Sequence, residues 1–85
     1  MDIKVVGISC PKTERTFLNA QVAAGEWGFM DDVILVNDVN DMATMGIFHT
    51  PTVVINAKDR CSGRIPSLYE LRTWIKEEMD EVIAA

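Results

Sequence analysis

Residues 3–11 read IKVVGISCP, a run of β-formers that ends in a cysteine and a proline. The composition of Ile3–Ile8 predicts a strand, and Pro11 stops it because proline fixes φ and has no backbone N–H group. The same properties suit proline to the first position of a helix. The segment therefore predicts a strand followed at once by a helix, with Cys10 at the junction.

The next segment has the pattern of a helix from Lys12 to about Trp27. Its apolar residues recur with a period of 3.6 residues, and the pattern ends near Gly25 and Gly28. The apolar residues of this helix are Phe17, Leu18, Ala20, Val22 and Ala24.

A second strand and a short helix are predicted after it. The unbroken apolar run Val33–Val36 is typical of a strand covered on both faces, as in a parallel sheet. Asn37 or Asp38 can cap a short helix that ends near Gly46. The apolar residues of that helix are Val39, Met42 and Ala43.

The C-terminal part predicts a hairpin and a final helix. Thr52–Ile55 has the composition of a third strand, residues 56–59 that of a turn, and residues 60–63 can return as a fourth strand. Ser67 lies three residues before Glu70, which is the capping-box pattern of a helix start. The apolar stripe of the final helix contains Leu68, Leu71, Ile75, Met79 and Val82.

These elements follow one another as βαβαββα, without a repeat or a linker. The right-handed crossover rule would place the first three strands parallel and the last one antiparallel, with helices on both faces. Because 85 residues suffice for one core, we expect residues 1–85 to form a single α/β domain with a four-stranded mixed sheet.

The composition excludes several classes of protein. The chain has 13 acidic and 8 scattered basic residues, a net charge of −5, so a nucleic-acid interface is not expected. No apolar stretch approaches the roughly 20 residues of a membrane span, and no export signal is visible. Two cysteines are too few for a disulfide scaffold. We therefore expect a cytoplasmic protein with free thiols.

Cys10 is the main candidate for chemistry. Near the N-cap of a helix, unpaired backbone N–H groups and the helix dipole stabilise a thiolate. A free cysteine is as commonly a small buried hydrophobe, and the position alone leaves both interpretations open. Thr50-Pro51, directly before an apolar strand, is the kind of bond in which a cis peptide occurs.

Three segments carry a resemblance to a known family: GISCPK at residues 7–12, GIFHTPTVVI at 46–55 and SGRIPS at 62–67. From Ile3 to about Met79 the chain resembles the thioredoxin-fold family, and within it the small glutaredoxin-like "redox-active disulfide" proteins of prokaryotes. The resemblance implies a thioredoxin-like fold and thiol–disulfide exchange.

The resemblance also implies roles for individual residues. Cys10 would be the nucleophile, with a cis-proline packed beside it, and an extended substrate would form strand-like hydrogen bonds to the residue before that proline. Independently of the resemblance, Arg64 follows the end of strand four, which returns toward Cys10. It either pairs with a carboxylate of glutathione or of a partner, or is a solvated loop charge. The residues assigned to substrate binding are Pro11, Thr50, Pro51, Gly63 and Arg64.

One departure from the family motif is decisive for the mechanism. Thr13 occupies the place of the second cysteine in Cys-x-x-Cys, so the chain cannot close the local disulfide that releases a mixed-disulfide intermediate. Thr13 would instead donate a hydrogen bond to the Cys10 sulfur. We expect Cys61 to lie early in strand four, beside the turn at the end of the sheet far from Cys10. It would then be too distant to bridge to Cys10, and so structural or incidental.

Three functions remain open. The first is a monothiol oxidoreductase in which Cys10 attacks a protein disulfide or a glutathione mixed disulfide and an external thiol such as glutathione resolves it, with no other cofactor. The alternative is a non-catalytic binding or regulatory module whose groove includes Phe48 and His49. The third is a soft metal or iron–sulfur site on Cys10 and His49. We expect a monomer or a weak dimer.

The remaining charged residues have surface interpretations. Lys12 is expected to point to solvent, and His49 either acts as a base for Cys10 or is simply exposed in its loop. The acidic residues of the final helix should form a solvated end: Glu77, Glu78, Asp80 and Glu81.

Overall fold

The computed structural model describes the backbone of residues 1–84 and the side-chain surroundings of residues 1–81. A one-turn 3₁₀ helix covers Met30–Asp32. The other elements are β1 (Ile3–Val6), α1 (Pro11–Gly25), β2 (Val33–Val36), α2 (Val39–Met45), β3 (Thr52–Ile55), β4 (Lys58–Ser62) and α3 (Leu68–Ala84). Among residues 1–84, no helix combines the length and the apolar composition that a membrane span requires.

The four strands form one mixed sheet in the order β2-β1-β3-β4. β1 and β2 are parallel, whereas β3 is antiparallel to β1 and β4 is antiparallel to β3. The prediction that the first three strands are parallel is therefore wrong. Val6 is level with both Val36 and Thr52, so α2 joins the end of β2 to the start of β3 at one end of the sheet. The crossover rule does not apply to such a connection, because it concerns parallel strands.

β2 lies at the edge of the sheet rather than in its interior. Only Val33 of this strand is buried, and Ile34 is 53% exposed. The prediction of cover on both faces is wrong for this strand, because an apolar run does not reveal whether other elements pack over both of its faces.

Helices cover both faces of the sheet, as predicted. On one face, Ala20, Ala23 and Ala24 of α1 and Leu71 and Ile75 of α3 pack against inward-facing residues of β1, β3 and β4. On the other face, Met42 of α2 and Ile47 pack against the sheet. The small alanine side chains of α1 allow that helix to approach the sheet closely. Leu18 and Val22 of the same helix are about half exposed.

The hairpin between β3 and β4 is tighter than the sequence predicts. Asn56 and Ala57 alone form the turn, both with positive φ, as in the two-residue turns that match the twist of a hairpin. A bulge then places Asp59 and Arg60 opposite Val54. Cys61 follows, opposite Val53, one residue before the end of β4 that lies level with the start of β3. The prediction that Cys61 lies beside the turn is wrong.

α3 begins as the capping box predicts. The backbone N–H of Glu70 donates to Ser67 Oγ at 3.1 Å, and the N–H of Ser67 donates to Glu70 Oε1 at 3.2 Å. Leu71 and Ile75 are fully buried. The side chain of Val82, the last residue of the predicted stripe, lies outside the described residues.

Glu78 is buried rather than solvated, contrary to the predicted acidic helix end. Its side chain is 2% exposed and accepts hydrogen bonds from Asn56, Lys58 and Arg60 on the hairpin. Burial raises the pKa of Glu78, but the hydrogen bonds from Arg60, Lys58 and Asn56 outweigh it, so the pKa is lowered. This carboxylate therefore ties α3 to the hairpin.

Replacing Glu78 by glutamine should lower the free energy of unfolding at neutral pH by about 1.5–3 kcal/mol, the range for hydrogen bonds to a charged group. Because the folded-state pKa is lowered, this contribution is present above the unfolded-state pKa and is lost as pH falls through the folded-state value. Urea unfolding of both proteins at neutral and acidic pH measures the difference. Glu77→Gln is the matched control, since Glu77 is an exposed partner of Arg60. Equal losses from the two variants would contradict the assigned role.

Candidate functional site

One end of the sheet brings together three separate stretches of sequence. Val6 ends β1, Thr52 begins β3 and Ser62 ends β4, and these three residues are level across the sheet. The candidate residues lie just beyond these strand ends: Cys10, Pro11 and Thr13 after β1, Thr50 and Pro51 before β3, and Gly63 and Arg64 after β4. The topology thus places all the predicted site residues at the same end of the sheet.

Cys10 is the N-cap residue of α1. Its backbone is extended, Pro11 is the first helical residue, and the Cys10 carbonyl accepts the hydrogen bond of Glu14 N at 3.0 Å. The cysteine is partly exposed and forms no disulfide. A sulfur at this position lies over the unpaired N–H groups of the first helical turn.

The Thr13 side chain contacts the Cys10 sulfur. Its Oγ1 lies 3.4 Å from Cys10 Sγ, and the residue is only 1% exposed. A thiolate has no proton to donate, so the hydroxyl becomes the donor once Cys10 is ionised. The hydroxyl thus occupies the place that a second sulfur would have in a dithiol site.

The pKa of the Cys10 thiol is lowered from its ordinary value. The Thr13 hydroxyl makes the largest contribution, followed by the backbone N–H of Thr13, and the N–H of Lys12 adds to it. Partial burial and the carboxylate of Glu14 act in the opposite direction. The neutral Cys10 side chain accepts no capping hydrogen bond from the N–H groups of α1. These N–H groups interact more strongly with the charged thiolate than with the neutral thiol.

Thr50 and Pro51 form the second part of the site. The peptide bond between them is cis, and Pro51 is buried with its carbonyl accepting from Gly63 N at 2.9 Å. Thr50 is partly exposed, and within residues 1–84 neither its N–H nor its C=O has a hydrogen-bond partner. The backbone of Thr50 is therefore available to an extended segment of another molecule.

Two hydroxyl groups that the sequence did not single out hold the loop before Pro51. Thr52 Oγ1 and Ser62 Oγ both donate to the carbonyl oxygen of His49, the latter at 3.2 Å. The His49 side chain is exposed. Gly63, which directly follows β4, has φ of +79°, a conformation that favours glycine.

Arg64 is already paired within the chain. Its guanidinium makes two hydrogen bonds to the carboxylate of Glu70, at 3.0 and 2.6 Å. Arg64, together with the backbone N–H of Ser67, lowers the pKa of Glu70 to about 2. A carboxylate of a ligand would have to displace Glu70 to reach Arg64.

Cys61 differs from Cys10 in every respect that matters for reactivity. It is buried in the core, its Sγ contacts the carbonyl of Arg64 at 3.6 Å, and burial raises its pKa. These properties are those of a structural cysteine. Across residues 1–84 the structure contains no group of three or more His, Cys, Asp or Glu side chains suited to a metal ion.

An apolar groove extends from the site along α2. It is lined by Ile8, Val39, Met42, Ala43, Ile47, Phe48 and Thr50. Phe48 is 82% exposed at its rim, although it is a large aromatic residue. Since Thr50 belongs to both the groove and the second part of the site, a chain bound to the Thr50 backbone would lie beside this groove.

Comparisons of the sequence with known proteins identify its family. The sequence model of a family described as thioredoxin domain matches residues 1–76. A curated protein named thioredoxin, from Methanocaldococcus jannaschii, is 32% identical over 78 residues, which cover 92% of this chain and 90% of that protein. No solved structure matches the chain significantly.

Proposed function

The chain belongs to the thioredoxin domain family, and we propose that it is a monothiol thiol–disulfide oxidoreductase that acts through Cys10. The observation that supports the proposal is the pairing of a helix-capping thiol of lowered pKa with a buried hydroxyl, Thr13, where a second sulfur would otherwise lie. Such a site favours the thiolate but offers no local thiol to resolve a disulfide.

The proposed reaction has two exchange steps. The Cys10 thiolate attacks one sulfur of a disulfide, forms a mixed disulfide with it and releases the other sulfur as a thiolate. A small external thiol, of which glutathione is the example, then attacks the sulfur bound to Cys10. This second step forms a new disulfide and returns the Cys10 thiolate. For a glutathione mixed disulfide attacked at its glutathione sulfur, the products are the free substrate thiol and oxidised glutathione. For a protein disulfide, one sulfur is released as a thiol and the other is left joined to glutathione, and a second round with another external thiol reduces it. The protein itself is unchanged.

The residues around Cys10 have distinct proposed roles in these steps. The Thr13 hydroxyl stabilises the Cys10 thiolate, both as the attacking group and as the leaving group. The backbone of Thr50, before the cis Pro51, holds the substrate as an extended segment, with Pro11 and Gly63 on either side. Arg64 contributes only if a carboxylate of the substrate replaces Glu70. Lys12 remains a surface lysine.

The proposed substrates are protein disulfides and glutathione mixed disulfides, with no resident cofactor. The proposed setting is a reducing compartment such as the cytoplasm, in which Cys10 and Cys61 would remain free thiols. One copy of the chain contains every residue that the two steps require.

The proposal is tested by the adduct that forms with oxidised glutathione. We expect a single glutathione adduct on Cys10, removed by reduced glutathione, with Cys61 unmodified because it is buried. Mass spectrometry of the intact protein and of its peptides identifies the modified residue, and Cys61→Ala is the matched control. Failure of the folded protein to form the Cys10 adduct would contradict the proposal.

A non-catalytic binding module is the second candidate, because an exposed apolar groove ends at Thr50. In that case a peptide would bind with Cys10 unmodified, and no turnover of a disulfide would occur.

A further inference from the structure

Gly7 is a buried residue immediately after β1, directly beneath the start of α1. Its N–H donates to the carbonyl of Val36 at 2.9 Å, which continues the pairing of β1 with β2 and holds its backbone in place. Its φ does not lie in the left-handed region, unlike those of Gly28, Gly46 and Gly63. The backbone conformation at residue 7 is thus no reason for a glycine there.

The space beside Gly7 provides the reason. A Cβ atom built on Gly7 would lie 2.5 Å from Thr13 Oγ1, closer than real Cβ atoms essentially ever come to another atom, and 3.1 Å from Thr13 Cγ2, a tight contact. Thr13 cannot move outward to avoid such a contact, because it is 1% exposed in a packed helix turn. A side chain at residue 7 would therefore force Thr13 to rotate or the helix to shift.

The atom that would be displaced is the one that contacts the nucleophile. Thr13 Oγ1 lies 3.4 Å from Cys10 Sγ, and rotation about the Cα–Cβ bond of Thr13 would carry the hydroxyl away from the sulfur. We infer that Gly7 is a positioning residue for Cys10: its missing side chain leaves the space in which the Thr13 hydroxyl contacts the sulfur.

This inference rests on the proposed function for its catalytic consequence, but not for its geometry. Gly7 leaves space for Thr13, and the Thr13 hydroxyl contacts Cys10. The ionisation of Cys10 reports directly on this arrangement. The experiment accordingly measures thiolate formation rather than turnover, so the inference and the proposed function can fail separately.

The test is a double-mutant cycle of Gly7→Ala and Thr13→Ala, made in a Cys61→Ala background so that Cys10 is the single titrating thiol. Thr13→Ala removes both γ atoms that a Cβ at residue 7 would meet. We expect each single variant to lower the Cys10 thiolate fraction at neutral pH by about three- to tenfold, as for the loss of one hydrogen bond. The double variant should show no further loss.

The ultraviolet absorbance of the thiolate across a pH titration gives the readout. Gly25→Ala is the matched control, because its new Cβ would lie 3.7 Å from Met30 Cβ, an ordinary contact, and should leave the titration unchanged. An unchanged titration in Gly7→Ala, or effects of the two substitutions that add, would overturn the inference.

Stability gives a second measurement if Gly7→Ala fails to fold. The double variant lacks the γ atoms of Thr13, so it should regain a cooperative unfolding transition and titrate like Thr13→Ala. A double variant that remains unfolded would show that Gly7 is required for some contact other than Thr13, and would also overturn the inference.

Discussion

Replacing Cys10 by serine should reduce the turnover of a glutathione mixed disulfide to the uncatalysed rate. A serine hydroxyl does not exchange with disulfides, whereas serine is a good N-cap, so the start of α1 should survive the substitution. The loss should therefore come from the chemistry and not from unfolding. Turnover is followed as the release of oxidised glutathione in the presence of excess reduced glutathione.

Cys61→Ala is the matched control for this loss. It removes the other thiol, which is buried in the core cluster, and should retain most of the wild-type rate. A Cys10→Ser variant that kept the wild-type rate would place the reactive thiol elsewhere. A wild-type protein with no rate above background would favour the binding module.

Replacing Thr13 by cysteine should give the largest gain of activity. The Thr13 Oγ1 atom lies 3.4 Å from Cys10 Sγ, so a sulfur there can reach Cys10 with a small side-chain adjustment and form a local disulfide. The mixed disulfide would then be resolved inside the protein, where a well-placed group acts at an effective concentration of about 10⁵ M or more. We expect reduction of a protein disulfide to accelerate by at least about a hundredfold at low external thiol.

Thr16→Cys is the control for the added thiol. Thr16 is also a buried threonine of α1, and it donates to the Lys12 carbonyl, so the variant has the same number of sulfurs without one beside Cys10. It should behave like the wild type. If Thr13→Cys formed no disulfide with Cys10 in an oxidising buffer, the assigned geometry of the site would be wrong.

Local signals in the sequence predicted the elements that carry the site. Pro11 predicted the first residue of α1, and therefore Cys10 as its cap. Ser67 and Glu70 predicted the capping box of α3. These signals succeed because a cap or a proline acts on the backbone of its immediate neighbours, and such interactions are written in a few adjacent residues.

Features that depend on distant pairing were predicted less well. The direction of β3 depends on the end of the sheet at which α2 joins β2 to β3. The exposure of Ile34 depends on the place of β2 at the edge of the sheet. The position of Cys61 was missed because the turn has only two residues and a bulge follows it. The composition of a single segment contains none of this information.

Two contacts at the level of side chains were also invisible in the sequence. Glu78 looked like one of several solvated acidic residues, but it is buried and paired with Lys58 and Arg60 of β4. Gly7 and Thr13 are six positions apart, and they come together because the end of β1 lies against the first turn of α1. A glycine at the end of a strand signals a close approach, but not which atom approaches.

The pH dependence of Cys10 alkylation by iodoacetamide in the Cys61→Ala variant tests the central claim most directly. It reports both the ionisation and the accessibility of the one remaining thiol. We predict rapid labelling with an apparent pKa clearly below the value of about 8.5 for an ordinary cysteine, because the Thr13 hydroxyl and the N–H groups of α1 favour the thiolate. An apparent pKa of about 8.5 or higher, or no labelling of the folded protein, would contradict a catalytic role for Cys10.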